Sequence, residues 1–325
     1  MADELLRVDD LWVSYTTDTI TNHAVNGISF SLQRGENLGF VGETGAGKTT
    51  TALSIMKLLP KGIGKVTSGS IYFQDRNIPD LSEAEMSMLR GNQIGMIFQD
   101  PMTSLNPVLT IEFQIAEVLK THGDKLSHKE IDVKVDELLN LVGIPAARKK
   151  EYPHQFSGGM KQRVAIAIAI ACNPLLLIAD EPTTALDVTI QAQVLEMMDE
   201  LKQQIHTSMI LITHDLGIVA QICDKVAIMY SGEIVEYGSV FDIFADTRHH
   251  PYTAGLFNSI PDPTRLNQRL TPILGQMTDP SNLPSGCKFH PRCTQGQSNC
   301  QEECPQSIEV NPGHYIKCNC NLARY

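Results

Sequence analysis

The sequence predicts an α/β fold, and three observations support that prediction. A short apolar run, 37–41, leads directly into a glycine-rich loop, and a segment with helix-forming character follows. A second apolar run, 175–179, ends in two acidic residues. Beyond it, helical periodicity alternates with short apolar strands up to residue 237. Such alternation is typical of a parallel sheet covered by helices.

The composition is that of a globular protein with room for one domain and an appendage. The chain has 325 residues, of which 42% are hydrophobic. Its formal net charge of −11 argues against nucleic acid as a partner, because phosphate backbones require a basic surface. No apolar run approaches the ~20 residues of a membrane-spanning helix, and the N-terminus lacks the character of a signal peptide. We therefore expect a cytosolic chain.

The elements before the acidic strand follow from local patterns. Alternating apolar residues at 5–15 and 24–32 predict an N-terminal antiparallel β-subdomain. After the glycine-rich loop, 49–59 predicts a helix. Residues 100–163 are expected to form a helical insertion, in which 111–120 is amphipathic.

Two further patterns refine the helical insertion and the segment after it. Ser127 and Glu130 have the form of a capping box, and Gly143 stands where the C-terminal cap of that helix would lie. Segment 164–171 alternates Val or Ile with Ala, which by period alone would be a strand. We predict a helix, because Ala is the best helix former and a strand follows almost at once.

The segments downstream of the acidic strand continue the α/β pattern. It predicts helices at 190–204 and 216–223, and strands at 208–213, 225–230 and 233–237.

The last part of the chain differs in character. A short helical stretch at 249–260 precedes a Pro-, Asn- and Gly-rich segment that holds six of the eight cysteines. In a cytosolic protein such a cluster suggests a metal site more than disulfides. We therefore divide the chain into a domain of residues 1–245 and an extension of residues 246–325.

The glycine-rich loop fits the phosphate-binding pattern G-x-x-x-x-G-K-[ST]. Backbone N–H groups of such a loop, and the N-terminus of the following helix, point at phosphate oxygens. Lys48 would reach the β- and γ-phosphates, and the Thr49 hydroxyl would bind Mg²⁺. The nucleotide-binding residues predicted here are Gly42, Glu43, Thr44, Gly45, Ala46, Gly47, Lys48, Thr49 and Thr50.

Asp180 and Glu181 follow the second apolar strand, and the end of such a strand is where this kind of fold binds its ligand. We expect Asp180 to hold Mg²⁺ and Glu181 to orient the attacking water, because phosphoryl transfer needs mainly positioning and charge neutralisation. A capping acidic pair after a core strand is the alternative interpretation.

Ser157, Gly158 and Gly159 are predicted to open the alanine-rich helix. A serine and two bare backbone N–H groups at a helix N-terminus form an anion site. In isolation the same three residues would be an ordinary N-cap with turn glycines.

Together these motifs resemble the nucleotide-binding domain of an ABC transporter. The resemblance implies a P-loop NTPase (RecA-like) fold. It also implies that the Ser-Gly-Gly segment completes the ATP site of a partner chain, so that two ATP molecules lie between two head-to-tail domains. Phe156 and Met160 depart from the Leu and Gln most usual in the family, but both lie outside that segment.

The resemblance assigns further residues. Gln99 resembles the glutamine that senses Mg²⁺ and the attacking water, and His214 resembles the switch histidine that contacts the γ-phosphate. Asp187 resembles the residue that touches the partner across the dimer. Tyr15 resembles the aromatic residue that stacks on adenine, with a core strand aromatic as the alternative. The predicted catalytic residues are thus Glu181, His214 and Gln99, and the predicted Mg²⁺ residues are Thr49, Gln99 and Asp180.

Segments 99–107, 179–189 and 250–253 resemble the importers of oligopeptides, dipeptides and nickel, and Met102-Thr103 resembles their dipeptide-type first ATPase subunit. Such importers pair two different ATPase subunits with two integral membrane permease subunits and an extracytoplasmic substrate-binding protein. The resemblance implies a peripheral subunit on the cytoplasmic face of the membrane, which hydrolyses ATP to drive peptide import. An importer ATPase for nickel or a metal chelate, and a soluble ABC ATPase not tied to transport, are the alternatives.

The cysteine spacing resembles the C-terminal extension of this subfamily, in which some members carry a [4Fe–4S] cluster. The residues concerned are Cys287, Cys293, Cys300 and Cys318. Four thiolates suit such a cluster or tetrahedral Zn²⁺, and no metal is the third possibility. Further candidate ligands are Cys304, Cys320 and His290.

Overall fold

The structure is a computed structural model that describes residues 3–123, 126–184, 186–245, 248–260, 271–320 and 323–324. Ala185, which falls in one of the segments carrying the family resemblance, lies outside the described residues. So do residues 246–247, 261–270, 321–322 and 325 of the predicted extension.

The strands and helices follow one another along the whole described chain. The strands are β1 (Glu4–Thr16), β2 (Thr21–Gln33), β3 (Asn37–Val41), β4 (Gly64–Phe73), β5 (Arg76–Asn77), β6 (Ile94–Ile97), β7 (Leu176–Asp180), β8 (Ser208–Thr213), β9 (Lys225–Tyr230), β10 (Glu233–Ser239), β11 (Arg248–His249), β12 (Ser307–Asn311), β13 (His314–Lys317) and β14 (Ala323–Arg324). The helices are α1 (Lys48–Ile55), α2 (Glu83–Leu89), α3 (Pro101–Ser104), α4 (Ile111–His122), α5 (His128–Leu141), α6 (Gly158–Ile170), α7 (Val188–Ile205), α8 (Leu216–Ile222), α9 (Val240–Ala245) and α10 (Pro251–Asn258).

The chain divides into two compact units, each built from several segments. The first unit comprises Met1–Glu4, Leu32–Asn37 and Asp80–Ile212. The second unit comprises Leu5–Ser31, Leu38–Pro79 and Thr213–Tyr325.

The first unit contains parallel strands in the order β6-β7-β8. Every residue of β7 and β8 is buried, which explains why both strands read as unbroken apolar runs rather than alternating ones. The predicted strand at 208–213 is confirmed residue for residue, and the run at 175–179 forms β7 one residue later.

Helix α6 confirms that the Val/Ile–Ala alternation encodes a helix. It packs against α3, α4, α5, α7 and β6 within the first unit. Buried side chains lie on several sides of it, as expected for a helix enclosed by its neighbours. Alternation therefore does not indicate a strand here, because small Ala side chains allow neighbouring elements to approach the helix all round.

Capping residues delimit the helices of the insertion as the sequence predicted. Ser127 N–H donates to the Glu130 carboxylate at 2.7 Å, and the Ser127 hydroxyl accepts from the Glu130 N–H at 3.4 Å. Gly143 follows the end of α5 with a φ of 70°. The same capping box, formed by Ser82 and Glu85, begins α2, a helix that our sequence analysis did not predict.

The second unit contains a four-stranded sheet in the order β2-β1-β4-β5, which confirms the antiparallel N-terminal β-subdomain. It also contains strands in the order β12-β13-β10-β9-β3, where β3 and β9 are parallel and the other pairs antiparallel. The strands β4, β12 and β13 were not predicted from the sequence. Among the described residues, no helix is both long and apolar enough to cross a membrane.

A buried carboxylate joins the last hairpin to the rest of the second unit. One carboxylate oxygen of Glu236 on β10 accepts from His249 at 2.9 Å and from His314 on β13 at 3.0 Å. The other oxygen accepts from the backbone N–H of His250 at 2.9 Å. Burial by itself would raise the pKa of Glu236, but the hydrogen bonds from both histidines outweigh it and lower that pKa to about 2.

Candidate nucleotide-binding site

The phosphate loop lies in the second unit, between the fully buried strand β3 and helix α1. Lys48 is 5% exposed, and its ammonium donates to the carbonyl oxygens of Gly42 at 2.6 Å and Glu43 at 3.0 Å. The ammonium is therefore held against the backbone of the phosphate loop. The N-cap residue Gly47 offers no side chain to the first turn of α1, and no acidic residue occupies that turn. An anion at this helix start would meet backbone N–H groups and no acidic side chain.

Two glycines of the loop are required by close backbone contact. A Cβ atom on Gly42 would come 2.3 Å from the carbonyl oxygen of Met229, which would force the backbone apart. Gly47 has a φ of 100°, and a Cβ atom there would lie 2.5 Å from the carbonyl oxygen of Ala24. The loop conformation is thus incompatible with any side chain at either position.

Tyr15 lies on β1 within the same unit and is half-buried. Its hydroxyl donates to the Thr50 hydroxyl at 3.2 Å. This contact connects the predicted adenine-stacking residue to the helix that follows the phosphate loop.

The predicted water-orienting residue Glu181 lies in the first unit, directly after β7. Its carboxylate accepts hydrogen bonds from the Gln99 amide at 3.0 Å and from the Thr184 hydroxyl at 2.9 Å. Its backbone N–H donates to the carbonyl of Ile212 at 2.9 Å, and its φ is 46°. The structure thus brings together two of the residues predicted to be catalytic. Asp180, the last residue of β7, is 2% exposed.

The Ser-Gly-Gly segment begins α6 in the same unit. The Ser157 hydroxyl caps the helix by accepting from the Met160 N–H at 3.4 Å. A Cβ atom on Gly159 would lie 2.5 Å from Ile190, whereas one on Gly158 would meet nothing closer than 3.9 Å. Gly159 is therefore needed for packing within the chain, and Gly158 is not.

Two further predicted site residues are exposed at the ends of elements. The Asp187 carboxylate caps α7 by accepting from the backbone N–H groups of Thr189 and Ile190 at 3.1 and 3.0 Å. His214 follows β8 and precedes Asp215, which caps α8.

Contacts around the loop that the sequence analysis missed come from distant parts of the second unit. The Glu43 carboxylate pairs with Arg292, and the Glu43 N–H donates to the Tyr252 hydroxyl. Tyr252 lies in a segment that carried the family resemblance but had no assigned role. Arg292 offered no signal, because its partner is 249 residues away in the chain.

The described geometry does not support the predicted metal centre. The Cys300 and Cys320 sulfurs lie 3.0 Å apart. Without a metal, burial raises the pKa of the Cys287 thiol to about 11 and also raises the pKa values of Cys293 and Cys318, whereas a bound metal would deprotonate its thiol ligands. No group of three or more His, Cys, Asp or Glu side chains within the described ranges is arranged to hold a metal ion.

A phosphate loop after a buried strand, an acidic strand end and a capped Ser-Gly-Gly helix define an ATP-binding protein of the P-loop α/β class. A family model described as "ABC transporter" matches residues 25–184, and one described as "Oligopeptide/dipeptide transporter, C-terminal region" matches residues 235–300.

Relatives match along almost the whole chain. The oligopeptide transport ATP-binding protein OppD of Bacillus subtilis is 50% identical over 96% of this chain and 88% of its own. The dipeptide transport ATP-binding protein DppD of the same organism is 48% identical over 97% of this chain and 94% of its own. The chain belongs to the ABC transporter family, among its ATP-binding and ATP-hydrolysing subunits.

A solved structure supports the same fold. The ATP-binding cassette MJ0796, in a dimeric post-hydrolysis state bound to ADP and Pi, superposes with a TM-score of 0.65. It is 25% identical and covers 72% of this chain and 98% of its own.

Proposed function

We propose that this chain energises a peptide importer by hydrolysing ATP at the cytoplasmic face of the cell membrane. The observation that carries the proposal is the match along almost the whole chain, extension included, to relatives named for oligopeptide and dipeptide transport. We further propose that it works with a second, homologous ATPase subunit, two integral membrane permease subunits and an extracytoplasmic substrate-binding protein.

The proposed chemistry assigns a part to each site residue. Lys48 and the N–H groups of the phosphate loop bind the β- and γ-phosphates, and Tyr15 stacks on adenine. Thr49 and Asp180 are the proposed Mg²⁺ residues, assisted by Gln99. A hydroxyl at a helix start and a carboxylate at a strand end are the oxygen donors that Mg²⁺ prefers. When bound, Mg²⁺ would neutralise charge on the phosphate oxygens.

Glu181 is proposed to orient the attacking water, and His214 is proposed to contact the γ-phosphate. The hydrogen bonds from Gln99 and Thr184 restrain the Glu181 carboxylate, as a water-positioning group requires. Restraint of this kind supports a catalytic role over that of a helix cap, because neither contact is to the N–H groups of a helix start.

We propose that Ser157, Gly158 and Gly159 contact the ATP bound by the partner subunit. Asp187 is proposed to contact the partner subunit itself. Gly158 is exposed, and a Cβ atom placed there would meet no described atom closer than 3.9 Å. A bare backbone at such a position suits the approach of a phosphate from another molecule.

We propose the domain boundary near residue 245 and the helical insertion at 100–163. That insertion, with the loop 99–107, is proposed to receive the membrane subunits. Phe98 and Val108, which flank the loop, are exposed apolar side chains in the described structure. Exposed apolar groups of this kind are common in protein interfaces.

We propose a [4Fe–4S] cluster, with Zn²⁺ as the alternative, at Cys287, Cys293, Cys300 and Cys318. Cysteine number and spacing support it, whereas the described side-chain geometry does not. Iron and acid-labile sulfide should be measured in full-length protein purified without air. About four of each per chain would support the cluster. Protein free of iron and zinc would contradict both metals.

Co-purification and cargo assays test the proposed function. Tagged protein extracted in mild detergent should bring down two integral membrane subunits and a second ATPase subunit. ATP turnover by that complex should rise with a peptide-loaded binding protein and stay at its basal rate with nickel or metal chelates. Tagged protein that recovers no membrane subunit would contradict the importer role.

A further inference from the structure

The carboxylate of Glu43, inside the phosphate loop, is held by Arg292 from the cysteine-bearing extension. One guanidinium nitrogen of Arg292 donates to Glu43 Oε2 at 2.6 Å, and the other donates to Oε1 at 3.1 Å. The Arg292 side chain is 4% exposed, and that of Glu43 is 32% exposed. A two-point contact between fixed partners, with one of them buried, is the strong form of the ion pair.

Arg292 is itself held in place by the extension and by β9. Its Nε donates to the carbonyl oxygen of Leu274 at 3.0 Å, and the guanidinium carbon lies 5.7 Å from the centre of the Tyr230 ring. The hydrogen bonds to Glu43 raise its pKa, so it is a permanent cation. The guanidinium therefore presents a fixed charge to the loop rather than a mobile one.

Tyr252 holds the backbone of the same loop residue. Its buried hydroxyl accepts from the Glu43 N–H at 2.9 Å, and its ring packs against Phe289, three residues before Arg292. Farther along the loop, Ala46 O accepts from the Gly232 N–H at 2.9 Å. Both the backbone and the side chain of Glu43 are thus fixed by residues beyond position 245.

We propose that Arg292 is a positioning residue for ATP binding. Acting on Glu43, it holds the phosphate loop in its binding conformation and cancels a negative charge where an anion must arrive. The cysteine-bearing extension thereby sets the affinity for ATP. This inference rests on the proposed role of the phosphate loop.

Loss of the charge pair should change ATP affinity in a way that loss of packing alone would not. Arg292→Gln leaves the Glu43 carboxylate unpaired next to the site of the nucleotide phosphates, and like charges repel. Adding Glu43→Gln to that variant removes the repulsion. The double variant should therefore bind ATP more tightly than R292Q alone.

The test is equilibrium titration of the full-length chain with ATP and Mg²⁺ by calorimetry, with KM and kcat measured in the assembled complex. R292Q should raise the Kd and KM for ATP about tenfold, the size expected for a charged, two-point contact, with kcat changed less than about twofold. The double variant E43Q/R292Q should return to the value of E43Q, a non-additivity expected of partners in contact. Arg292→Lys, which keeps the charge without the two-point geometry, should lie between R292Q and the wild type.

Lys317→Gln is the matched control. The Lys317–Glu233 ion pair, at 3.2 Å, joins the extension to β10 and does not involve the phosphate loop. An unchanged Kd in K317Q is expected. An equal rise in K317Q, an unchanged Kd in folded R292Q, or additive effects in the double variant would overturn the proposal. If R292Q does not fold, wild-type affinity in both R292K and E43Q would overturn it. Wild-type protein that binds no ATP would instead contradict the proposed function.

Discussion

Glu181 occupies a conformation that a residue with a side chain adopts only at a cost. Its φ of 46° lies in the left-handed region, which costs on the order of 1–3 kcal/mol for a residue other than glycine. The hydrogen bond from its N–H to Ile212 and those to its carboxylate from Gln99 and Thr184 stabilise that conformation. The strain suggests that the direction of this side chain matters more to the protein than local stability.

Glu181→Gln should retain ATP binding while turnover falls by roughly 10²–10³, the scale of losing one catalytic positioning group. The amide has the shape of the carboxylate but cannot polarise water in the same way. Steady-state hydrolysis by the assembled complex and calorimetric binding by the single chain measure the two quantities. Thr184→Val, which removes one hydrogen bond to the carboxylate, should cost much less. Normal turnover in E181Q would refute the assigned role.

Helix α10 begins at a buried histidine whose protonation should affect stability. The His250 ring accepts from the Tyr252 N–H at 3.1 Å, and its neighbours include Glu236, Lys317 and the Phe289 ring. Burial lowers the pKa of His250 from 6.5 to about 4, because the charged form is poorly solvated there. The unfolded chain therefore binds a proton between pH 6.5 and 4 that the folded chain does not.

Because the unfolded state binds more protons in that window, the free energy of unfolding should fall as pH drops from 6.5 to about 4. The loss attributable to His250 is about 3 kcal/mol, from roughly 1.4 kcal/mol per pKa unit. His250→Asn keeps an acceptor for the Tyr252 N–H but cannot titrate, so urea unfolding should show a flatter pH dependence. His154→Asn, the same substitution at an exposed position, is the matched control. Equal slopes in wild type and H250N would contradict this assignment.

At the level of elements, the sequence predicted what local patterns determine. β8 and β9 are apolar runs between turns, and α5 begins at a capping box, so each could be located from a few neighbouring residues. Helix α2 carries the same capping signature and could have been predicted from it. The β12–β13 hairpin was harder to locate, because its strands are only five and four residues long and most of β12 is exposed.

For the molecule as a whole, the fold and the phosphate loop could be predicted from the sequence. The distant residues that contact and hold that loop could not. Motif spacing pointed to Lys48 and Glu181, because each stands in a short stretch of recognisable sequence. Arg292 and Tyr252 reach Glu43 only through the fold of the second unit, and no periodicity or motif marks such pairs. The cysteine cluster shows the opposite case, since its spacing predicted a metal site that the described side chains do not form.

Ser157→Ala should distinguish a chain that completes its own ATP site from one that serves a partner. ATP affinity of the isolated variant should equal that of the wild type, because the phosphate loop is unchanged. Turnover by the assembled complex should fall at least about tenfold, since the hydroxyl proposed to bind phosphate would be missing from the partner's site. Calorimetry on the single chain and hydrolysis assays on the complex give the two values. Weaker binding by the isolated variant, or full activity in the complex, would contradict a composite site.

ATP-driven peptide uptake into proteoliposomes tests the central claim most directly. Vesicles would contain the purified membrane complex with this subunit, ATP inside, and a peptide-loaded binding protein outside. We predict uptake that requires internal ATP, accompanies ATP hydrolysis and is abolished when this subunit carries E181Q. Peptide uptake that persists with E181Q, or ATP hydrolysis without any peptide uptake by the wild-type complex, would contradict the account.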